Sequence, residues 1–181
     1  YAEAASNLLN KFNSISVRDS NSLNIVKNQC NCEVTKVLDP TFLADYSDII
    51  YEVNSEEEYL LVYAFNLSSE EEKVIKYLSD TKNLKIISIG YYNKIAHKNI
   101  VTVSTQEWLG YFKQASYIVS SFFHGTIFSI IFGKSFTTLS RGDKSIKVSD
   151  LLGNLGLERC IFSSKLNIHD FSEKNIAVDY T

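Results

Sequence analysis

The sequence predicts an α/β protein with a Rossmann-like, doubly wound and mainly parallel sheet. Short apolar segments alternate with amphipathic segments of about ten residues along most of the chain. This alternation is typical of parallel strands joined by helical crossovers. The length of 181 residues is enough for one domain with its own hydrophobic core and too short for two full-sized domains.

The first half of the chain begins with a predicted helix, because apolar residues between Ala4 and Phe12 recur near helical spacing. Further on, EYLLVYAF has the continuous apolar pattern of a buried strand, and the segment Ser68–Glu72 has the serine and glutamate spacing of a capping motif. The elements expected here are helix 2–12, strand 14–17, helix 22–27, strand 34–38, strand 58–65 and helix 69–79.

The second half repeats this alternation. The segment LKIISI predicts a strand, and YIVS is apolar enough to be a central strand. The segment TIFSIIF after it is an unusually apolar helix. The expected elements are strand 84–89, strand 100–103, helix 106–115, strand 117–120, helix 124–132, strand 135–139, helix 145–155 and strand 159–162.

Composition excludes several classes of protein. Hydrophobic residues make up 45% of the chain and charged residues 22%, which is ordinary for a globular protein. The net charge of −3 is spread without long blocks of one sign, so no nucleic-acid partner is expected. No apolar run is long enough for a transmembrane segment, and no signal peptide is recognisable.

The cysteines and the missing methionines give two further expectations. Three cysteines argue against a disulfide scaffold and fit a reducing compartment. Cys30 and Cys32 form a CxC pair, but a closed zinc site needs four ligands and no others lie nearby in the sequence, so no metal is expected. The chain starts at Tyr1 and contains no methionine, so we expect a fragment of a longer protein.

Ligands of open parallel sheets bind beyond the carboxyl ends of the strands, where loops meet helix starts. Polar residues stand at four such ends in the predicted sheet. These segments are Arg18–Asp19, Asp39–Pro40, Gly90–Asn93 and Ser120–Thr126.

The segment SSFFHGT is the strongest of the four. A helix start presents unpaired backbone N–H groups and the positive end of the helix dipole, so it favours phosphate or carboxylate. His124 beside it can donate to an anion or move a proton near neutral pH. The pattern alone fits equally a histidine that only caps the helix or is a satisfied core residue.

Two arginines are further candidates for anion contacts. Arg18 ends the strand in ISVRD and offers a guanidinium fork, although a surface pair with Asp19 fits the pattern too. Arg141 lies in the polar turn LSRGDKS, where a purely structural role is also compatible with the sequence.

Three blocks in this order resemble the polysaccharide pyruvyl transferase family. They are ISVRDSNS, VLDPTFL and TQEWLGYFKQASYIVSSFFHGTIFSIIFGKSF followed by LSRGDK. The FHGTIFSIIF part is the most specific, and the similarity extends from about Asn13 to Leu157.

The resemblance implies a GT-B-like enzyme in which two Rossmann-like domains face each other across a cleft. Residues 1–181 would then be the single C-terminal domain, with the N-terminal partner domain absent from this chain. Family members transfer a pyruvyl group from phosphoenolpyruvate to two hydroxyls of a sugar. Phosphoenolpyruvate would be the donor substrate, with no separate cofactor, and the acceptor a saccharide, free or lipid-linked. The expected location is the cytoplasm or the inner face of the membrane.

Carried over by position, Arg18 matches an arginine that helps to hold phosphoenolpyruvate, and His124 matches the histidine of the central motif, an acid/base or substrate-binding group. His124 is therefore the expected catalytic residue. The expected substrate-binding residues are Arg18, Ser120, Ser121, Phe123, Gly125, Thr126 and Arg141.

One position departs from the family. Several members carry an arginine two positions before the histidine, where this chain has Phe122, which cannot make an ionic contact. Arg141 or the absent domain would then supply the second positive charge, or the substrate differs.

Two alternatives stay open. A GT-B glycosyltransferase would bind a nucleotide-sugar, with Glu107 or Asp143 on the ribose hydroxyls, although no GxGxxG fingerprint is present. A non-catalytic relative would bind a sugar or an anion without reaction, and Phe122 is the feature that favours it.

Overall fold

The computed structural model describes residues 2–53, 55, 57–142 and 145–163. Strands and helices alternate as predicted, and the α/β Rossmann-like class is confirmed. In chain order the elements are α1 (Ala2–Leu9), β1 (Ser14–Val17), α2 (Ser20–Lys27), β2 (Glu33–Lys36), β3 (Tyr59–Tyr63), α3 (Ser69–Lys82), β4 (Lys85–Ile89), β5 (Lys98–Ile100), α4 (Thr105–Gln114), β6 (Tyr117–Ser120), α5 (Phe123–Ile131), β7 (Phe136–Leu139), α6 (Ser145–Asn154) and β8 (Ile161–Phe162). Short 3-10 helices lie at Pro40–Leu43, Ser47–Ile49 and Glu158–Cys160.

Six parallel strands form the main sheet in the order β5-β4-β3-β6-β7-β8. The chain therefore builds outward from β3 to β5, returns to the other side of β3, and builds outward again from β6 to β8. The order reverses between β3 and β6, which makes this pair the topological switch point. In open α/β sheets the ligand crevice lies at that point, beyond the carboxyl ends of the strands.

Apolar residues alternate between the two faces of the main sheet. Leu60 and Val62 of β3 pack with Val74 and Leu78 of α3 on one face. The other face of the sheet is covered by helices α4, α5 and α6. Helices α3 and α5, which follow the two strands of the switch point, therefore lie on opposite faces, and this opens the crevice between them.

The strand expected at 100–103 lies earlier in the chain, at Lys98–Ile100. Ile100 pairs with Ile89, the last residue of β4, so β4 offers no partner to the residues that follow. The pattern of apolar residues predicted the strand, but its limits depend on the neighbouring strand.

Strands β1 and β2 do not join the main sheet, and the sequence did not predict this. They pair with each other in parallel, from Ser14 opposite Glu33 to Val17 opposite Lys36. Their residues alternate between exposed and half-buried, whereas β3, β6 and β7 are buried almost throughout. Two-stranded sheets are marginal alone. Helix α2 packs on both strands and contacts α6, and Lys36 of β2 forms an ion pair with Asp150 of α6.

Within the described part of the chain, none of the helices combines the length and the apolar character that crossing a bilayer requires.

Candidate functional site

The start of α5 lies at the switch point because β6 runs directly into it. Gly125 allows α5 to lie close to the end of β6. A Cβ at this position would lie 2.1 Å from Oγ and 2.8 Å from Cβ of Ser120. No side chain larger than hydrogen fits there without a shift of the strand. The glycine of the sequence motif therefore sets the distance between helix and sheet.

This helix start carries no side-chain cap. Phe122 is the N-cap residue and its side chain accepts no hydrogen bond, while Oγ of Ser120 accepts from the Phe122 amide at 3.1 Å. The first helical bond is donated by the Thr126 amide to the carbonyl of Phe122. Among the described residues, the amides of Phe123, His124 and Gly125 have no acceptor. They present partial positive charge to the crevice, as an anion site requires.

His124 lies on the first turn of α5 and is exposed. Its ring contacts the Phe123 ring edge-on, with centroids 5.6 Å apart. Among the described residues, no hydrogen bond or ion pair holds its imidazole. The side chain is therefore neither a cap nor a core residue, and it is accessible to a ligand at the helix start.

Arg18 reaches the same helix start from the other sheet. It follows β1, and its guanidinium lies 5.6 Å from the centroid of the Phe123 ring, within the range of a cation–π contact. Nη1 of Arg18 donates to Oδ2 of Asp39 in an ion pair, and the arginine side chain remains 40% exposed. The structure thus brings Arg18 and the His124 turn together through Phe123.

Asp39 is buried beneath Arg18. Burial raises the pKa of its carboxyl, but hydrogen bonds from the amide and hydroxyl of Thr41 and from Arg18 outweigh burial, so the net pKa is lowered. The carboxylate stays ionised at neutral pH and fixes the position of the guanidinium. The sequence places Asp39 at a predicted strand end, but nothing in it identifies Asp39 as the partner of Arg18.

The carboxyl ends of β1 and β2 line an open cavity of about 760 Å³. Arg18 and Lys147 bring positive charge to it, and Asp19 and Asp39 bring negative charge. Lys147 was not predictable from the sequence, because one lysine on an amphipathic helix carries no signal of its own. Its position on α6 becomes informative only once α6 packs against the β1–β2 layer.

An ionic contact joins this layer to α6. The Asp150 carboxylate accepts from Oγ of Ser20 at 2.6 Å and lies 3.3 Å from Nζ of Lys36. Burial raises the pKa of Asp150, and the bonds from Ser20 and Lys36 lower it more, so the net pKa is lowered. The same contact holds the strand end that carries Arg18.

Two of the predicted contact residues are fully enclosed in this structure. Ser120 is 1% exposed, and its Oγ bonds the Phe122 backbone. Thr126 is 0% exposed, and its Oγ1 shares a 2.8 Å hydrogen bond with Thr138. These hydroxyls position the start of α5. Ser121 is half-buried, and its amide bonds the carbonyl of Tyr63. Direct ligand contacts by all three stay predictions.

Arg141 is not part of this group. Its Nε and Nη2 bind the buried carboxylate of Glu71 at 2.7 and 2.6 Å, and Nη1 donates to the carbonyl of Phe65. Its guanidinium therefore stabilises the start of α3. A ligand contact by Arg141 stays a prediction, and it would have to compete with a bidentate ion pair.

Glu107 and Asp143 are the two carboxylates that a nucleotide-sugar reading would place on the ribose hydroxyls. Glu107 accepts from the amide and hydroxyl of Ser104 in a capping box, and these bonds lower its pKa. Asp143 lies outside the described residues. In the described ranges, no three His, Cys, Asp or Glu side chains gather as a group that could hold a metal ion.

Phe122 has other ring partners than Phe123. Its ring packs against Tyr63, with centroids 4.7 Å apart, and stacks on Tyr91 at 5.3 Å with an angle of 19° between the planes. Consecutive residues at the start of α5 therefore face different neighbours: Phe123 contacts the arginine, and Phe122 contacts an aromatic cluster.

Comparisons with known proteins give one family. The family model for polysaccharide pyruvyl transferase matches residues 1–143. No curated protein is significantly similar to the chain. Among solved structures, the chain is similar to UDP-GlcNAc 2-epimerase from Methanocaldococcus jannaschii, with 14% identity and a TM-score of 0.48, over 84% of this chain and 43% of that one. The chain thus spans less than half the length of that protein, and the expected second domain stays a prediction.

Proposed function

Because the chain belongs to the polysaccharide pyruvyl transferase family, we propose that it transfers a pyruvyl group from phosphoenolpyruvate to two hydroxyls of a sugar in a cell-surface polysaccharide or its precursor. The observation that carries this proposal is the uncapped start of α5. It presents free amides and an exposed His124, and Arg18 lies next to it through Phe123.

Phosphoenolpyruvate carries a carboxylate and a phosphate on adjacent parts of a small molecule. The amides of α5 suit one anionic group, and Arg18, which keeps donors beyond the one used by Asp39, suits the other. Lys147 lines the same cavity as Arg18 and adds positive charge. This arrangement supplies the cation that the family arginine would supply at position 122.

The proposed reaction has two steps. A sugar hydroxyl adds to C2 of phosphoenolpyruvate while the methylene carbon gains a proton, which gives a tetrahedral intermediate that still holds the phosphate. A second hydroxyl of the same sugar then displaces the phosphate and closes the ketal. One hydroxyl proton thus ends on the new methyl group and the other on the released phosphate.

His124 is the proposed proton donor. Its imidazole is exposed and lies on the turn that presents the free amides, and imidazole is the side chain that most often transfers protons in enzymes. The amides oppose the negative charge that develops on the phosphate as it leaves. The chemistry uses no cofactor. The proposed location is the cytoplasm, where phosphoenolpyruvate is made, or the inner face of the membrane.

The test is His124→Ala in an assay with phosphoenolpyruvate and a panel of methyl glycosides. The ketal methyl signal in proton NMR and the released phosphate report turnover. The rate should fall by at least about 10²-fold, because general acid catalysis is lost. The matched control is His97→Asn: His97 lies at the opposite edge of the sheet, where its Nδ1 accepts from the Ile86 amide, and asparagine retains an acceptor.

A His124→Ala variant with the wild-type rate would exclude His124 as the acid. Thermal-shift titration separates the alternatives, because only a bound ligand raises the melting temperature. A shift with uridine diphosphate sugars and none with phosphoenolpyruvate would favour a glycosyltransferase. Binding of phosphoenolpyruvate without any ketal would favour a non-catalytic relative.

A further inference from the structure

Two of the three cysteines lie side by side in the loop between α2 and β2. Sγ of Cys32 is 3.0 Å from Sγ of Cys30, and both thiols are free. Both residues are half-buried, so a small molecule can still reach the sulfur atoms. The sulfur atoms of a disulfide are about 2.05 Å apart, so closure of this pair requires an approach of roughly 1 Å.

The loop that carries the two cysteines is held in place from several sides. Oγ of Ser6 in α1 donates to the carbonyl of Gln29 at 2.6 Å, and the amide of Asn31 donates to Oδ1 of Asn10 at 2.9 Å. Strand β2 begins directly after the second cysteine, at Glu33. The fold therefore keeps the two sulfur atoms together, and reaction between them loses little further entropy.

The cysteine pair lies apart from the start of α5. Cys32 comes directly before β2, and Asp39, which binds Arg18, follows the other end of the same strand. The four residues of β2 alone span roughly 13 Å. A function of the cysteine pair is therefore independent of the proposed transfer reaction.

The surroundings of the pair favour redox chemistry over metal binding. A structural zinc site uses four ligands, most often cysteine and histidine. Across the residues that the structure describes, no further His, Cys, Asp or Glu side chain joins the two thiols to form a metal-binding group. Two adjacent thiols without other ligands have the composition of a dithiol that closes to a disulfide.

The hydrogen bond between the two thiols gives them different roles. The Cys32 thiol donates to Sγ of Cys30, and this bond raises the pKa of Cys32. The same donor would stabilise a thiolate at Cys30, and the thiolate is the nucleophile in disulfide exchange. Cys160 is the contrast within the chain, because it is 1% exposed and burial raises its pKa to about 11.

We propose that Cys30 and Cys32 form a redox-active dithiol, which closes reversibly to an intramolecular disulfide by exchange with a low-molecular-weight disulfide such as oxidised glutathione. The Cys30 thiolate attacks one sulfur of the oxidant, whose S–S bond breaks and releases a first thiolate. Cys32 then gives its proton to solvent and attacks Sγ of Cys30, which releases the second thiolate. The two protein thiols are oxidised to a disulfide, and the oxidant is reduced to two thiols that take up the two protons.

Equilibration of the whole chain in glutathione buffers of rising oxidised share, followed by mass spectrometry, tests the proposal. Wild type should lose two hydrogens, with the disulfide inside the tryptic peptide 28–36 that carries both cysteines, while Cys160 stays reduced. The effective concentration of the two thiols should be at least about tenfold higher in the native chain than in urea, because the fold holds the sulfur atoms together. Cys30→Ser and Cys32→Ser should each stop at a glutathione adduct.

Three outcomes in wild type would overturn the dithiol. They are no disulfide at any glutathione ratio, an effective concentration in the native chain no higher than in urea, or disulfide-linked dimers in place of the intramolecular bond on a non-reducing gel. Dialysis of the reduced chain after addition of zinc chloride is the separate measurement. Zinc that wild type retains and Cys30→Ser loses would assign a metal site to the pair instead. The wild-type measurements decide the proposal even if a serine variant fails to fold.

Discussion

Among the helices that begin at the carboxyl edge of the main sheet, α3 and α4 have closed starts and α5 has an open one. At α3, Ser68 and Glu71 form a capping box, and at α4 Ser104 and Glu107 do the same. At α5 the N-cap is Phe122, and none of the described side chains bonds the amides of the first turn. The amides at the positive end of the helix dipole are therefore capped at α3 and α4 and remain available at α5, although these helices begin at the same edge of the sheet.

The difference means that the start of α5 is less stabilised than the starts of α3 and α4. A serine or aspartate N-cap stabilises a helix by about 1 kcal/mol relative to a residue that cannot cap. At α3, Arg141 adds a bidentate pair to Glu71, so the closed start is also neutralised. The start of α5 lacks both, and helix α5 is instead held by its apolar face, with Ile127 fully buried. Free amides are then available for a ligand.

The largest expected effect comes from Gly125→Ala, which breaks the approach of α5 to the sheet. The new Cβ would overlap Ser120, and relief requires a shift of the strand or the helix. We expect a loss of about 3 kcal/mol in the free energy of unfolding, at the upper end of overpacking costs. Urea denaturation followed by circular dichroism measures it.

The matched control is Gly153→Ala on α6, where the nearest atom lies 3.6 Å from the added Cβ and no overlap occurs. It should leave stability unchanged or raise it slightly, because alanine favours helix over glycine. The double variant Ser120→Ala with Gly125→Ala should recover part of the loss, since Oγ is the closest atom. Equal stability of both glycine variants would contradict the steric argument.

A smaller effect is expected when the open start is converted to a closed one. In Phe122→Asp the new carboxylate caps the amides and repels an anionic ligand. Affinity for phosphoenolpyruvate should fall by at least about tenfold, or roughly 1.4 kcal/mol. Isothermal titration calorimetry gives the constant. Phe122→Leu is the control, because it removes the ring without adding a cap, and unchanged affinity in Phe122→Asp would show that the donor binds elsewhere.

The smallest effect is expected at a closed start. Ser104→Ala removes the hydroxyl that accepts from the Glu107 amide, and the free energy of unfolding should fall by about 1 kcal/mol. Phosphoenolpyruvate binding should not change, since this cap does not touch the α5 start. Thr105→Ala, one position further and exposed, is expected to be neutral. A change of ligand affinity in Ser104→Ala would remove the distinction between the two kinds of start.

The sequence predicted the strands and helices of the main sheet because their signals are local. Continuous apolar runs marked the buried strands, and the serine–glutamate spacing marked the start of α3. The prediction of the SSFFHGT turn as a strand end running into a helix is confirmed. What no local pattern contains is strand order, so the separate β1–β2 sheet and the switch point between β3 and β6 were not predictable.

The candidate site was predictable only in part, for the same reason. Arg18 and His124 stand out by residue type at strand ends, and the structure joins them through Phe123. Asp39 and Lys147 join Arg18 by packing between distant segments. Arg141 shows the converse: a well-placed motif residue is engaged by Glu71, 70 residues away in the chain.

Phe122 and Phe123 are neighbours in the chain and contact different partners: Phe122 stacks on Tyr91, and Phe123 lies against Arg18. For the evolution of the protein this means that a point substitution at 122 alters the aromatic side and leaves the Arg18 contact in place. An insertion or deletion in the same turn would rotate both side chains together by about 100° per residue. Sequences that diverge in this turn are therefore expected to vary by replacement at 122 and to keep the length of the turn.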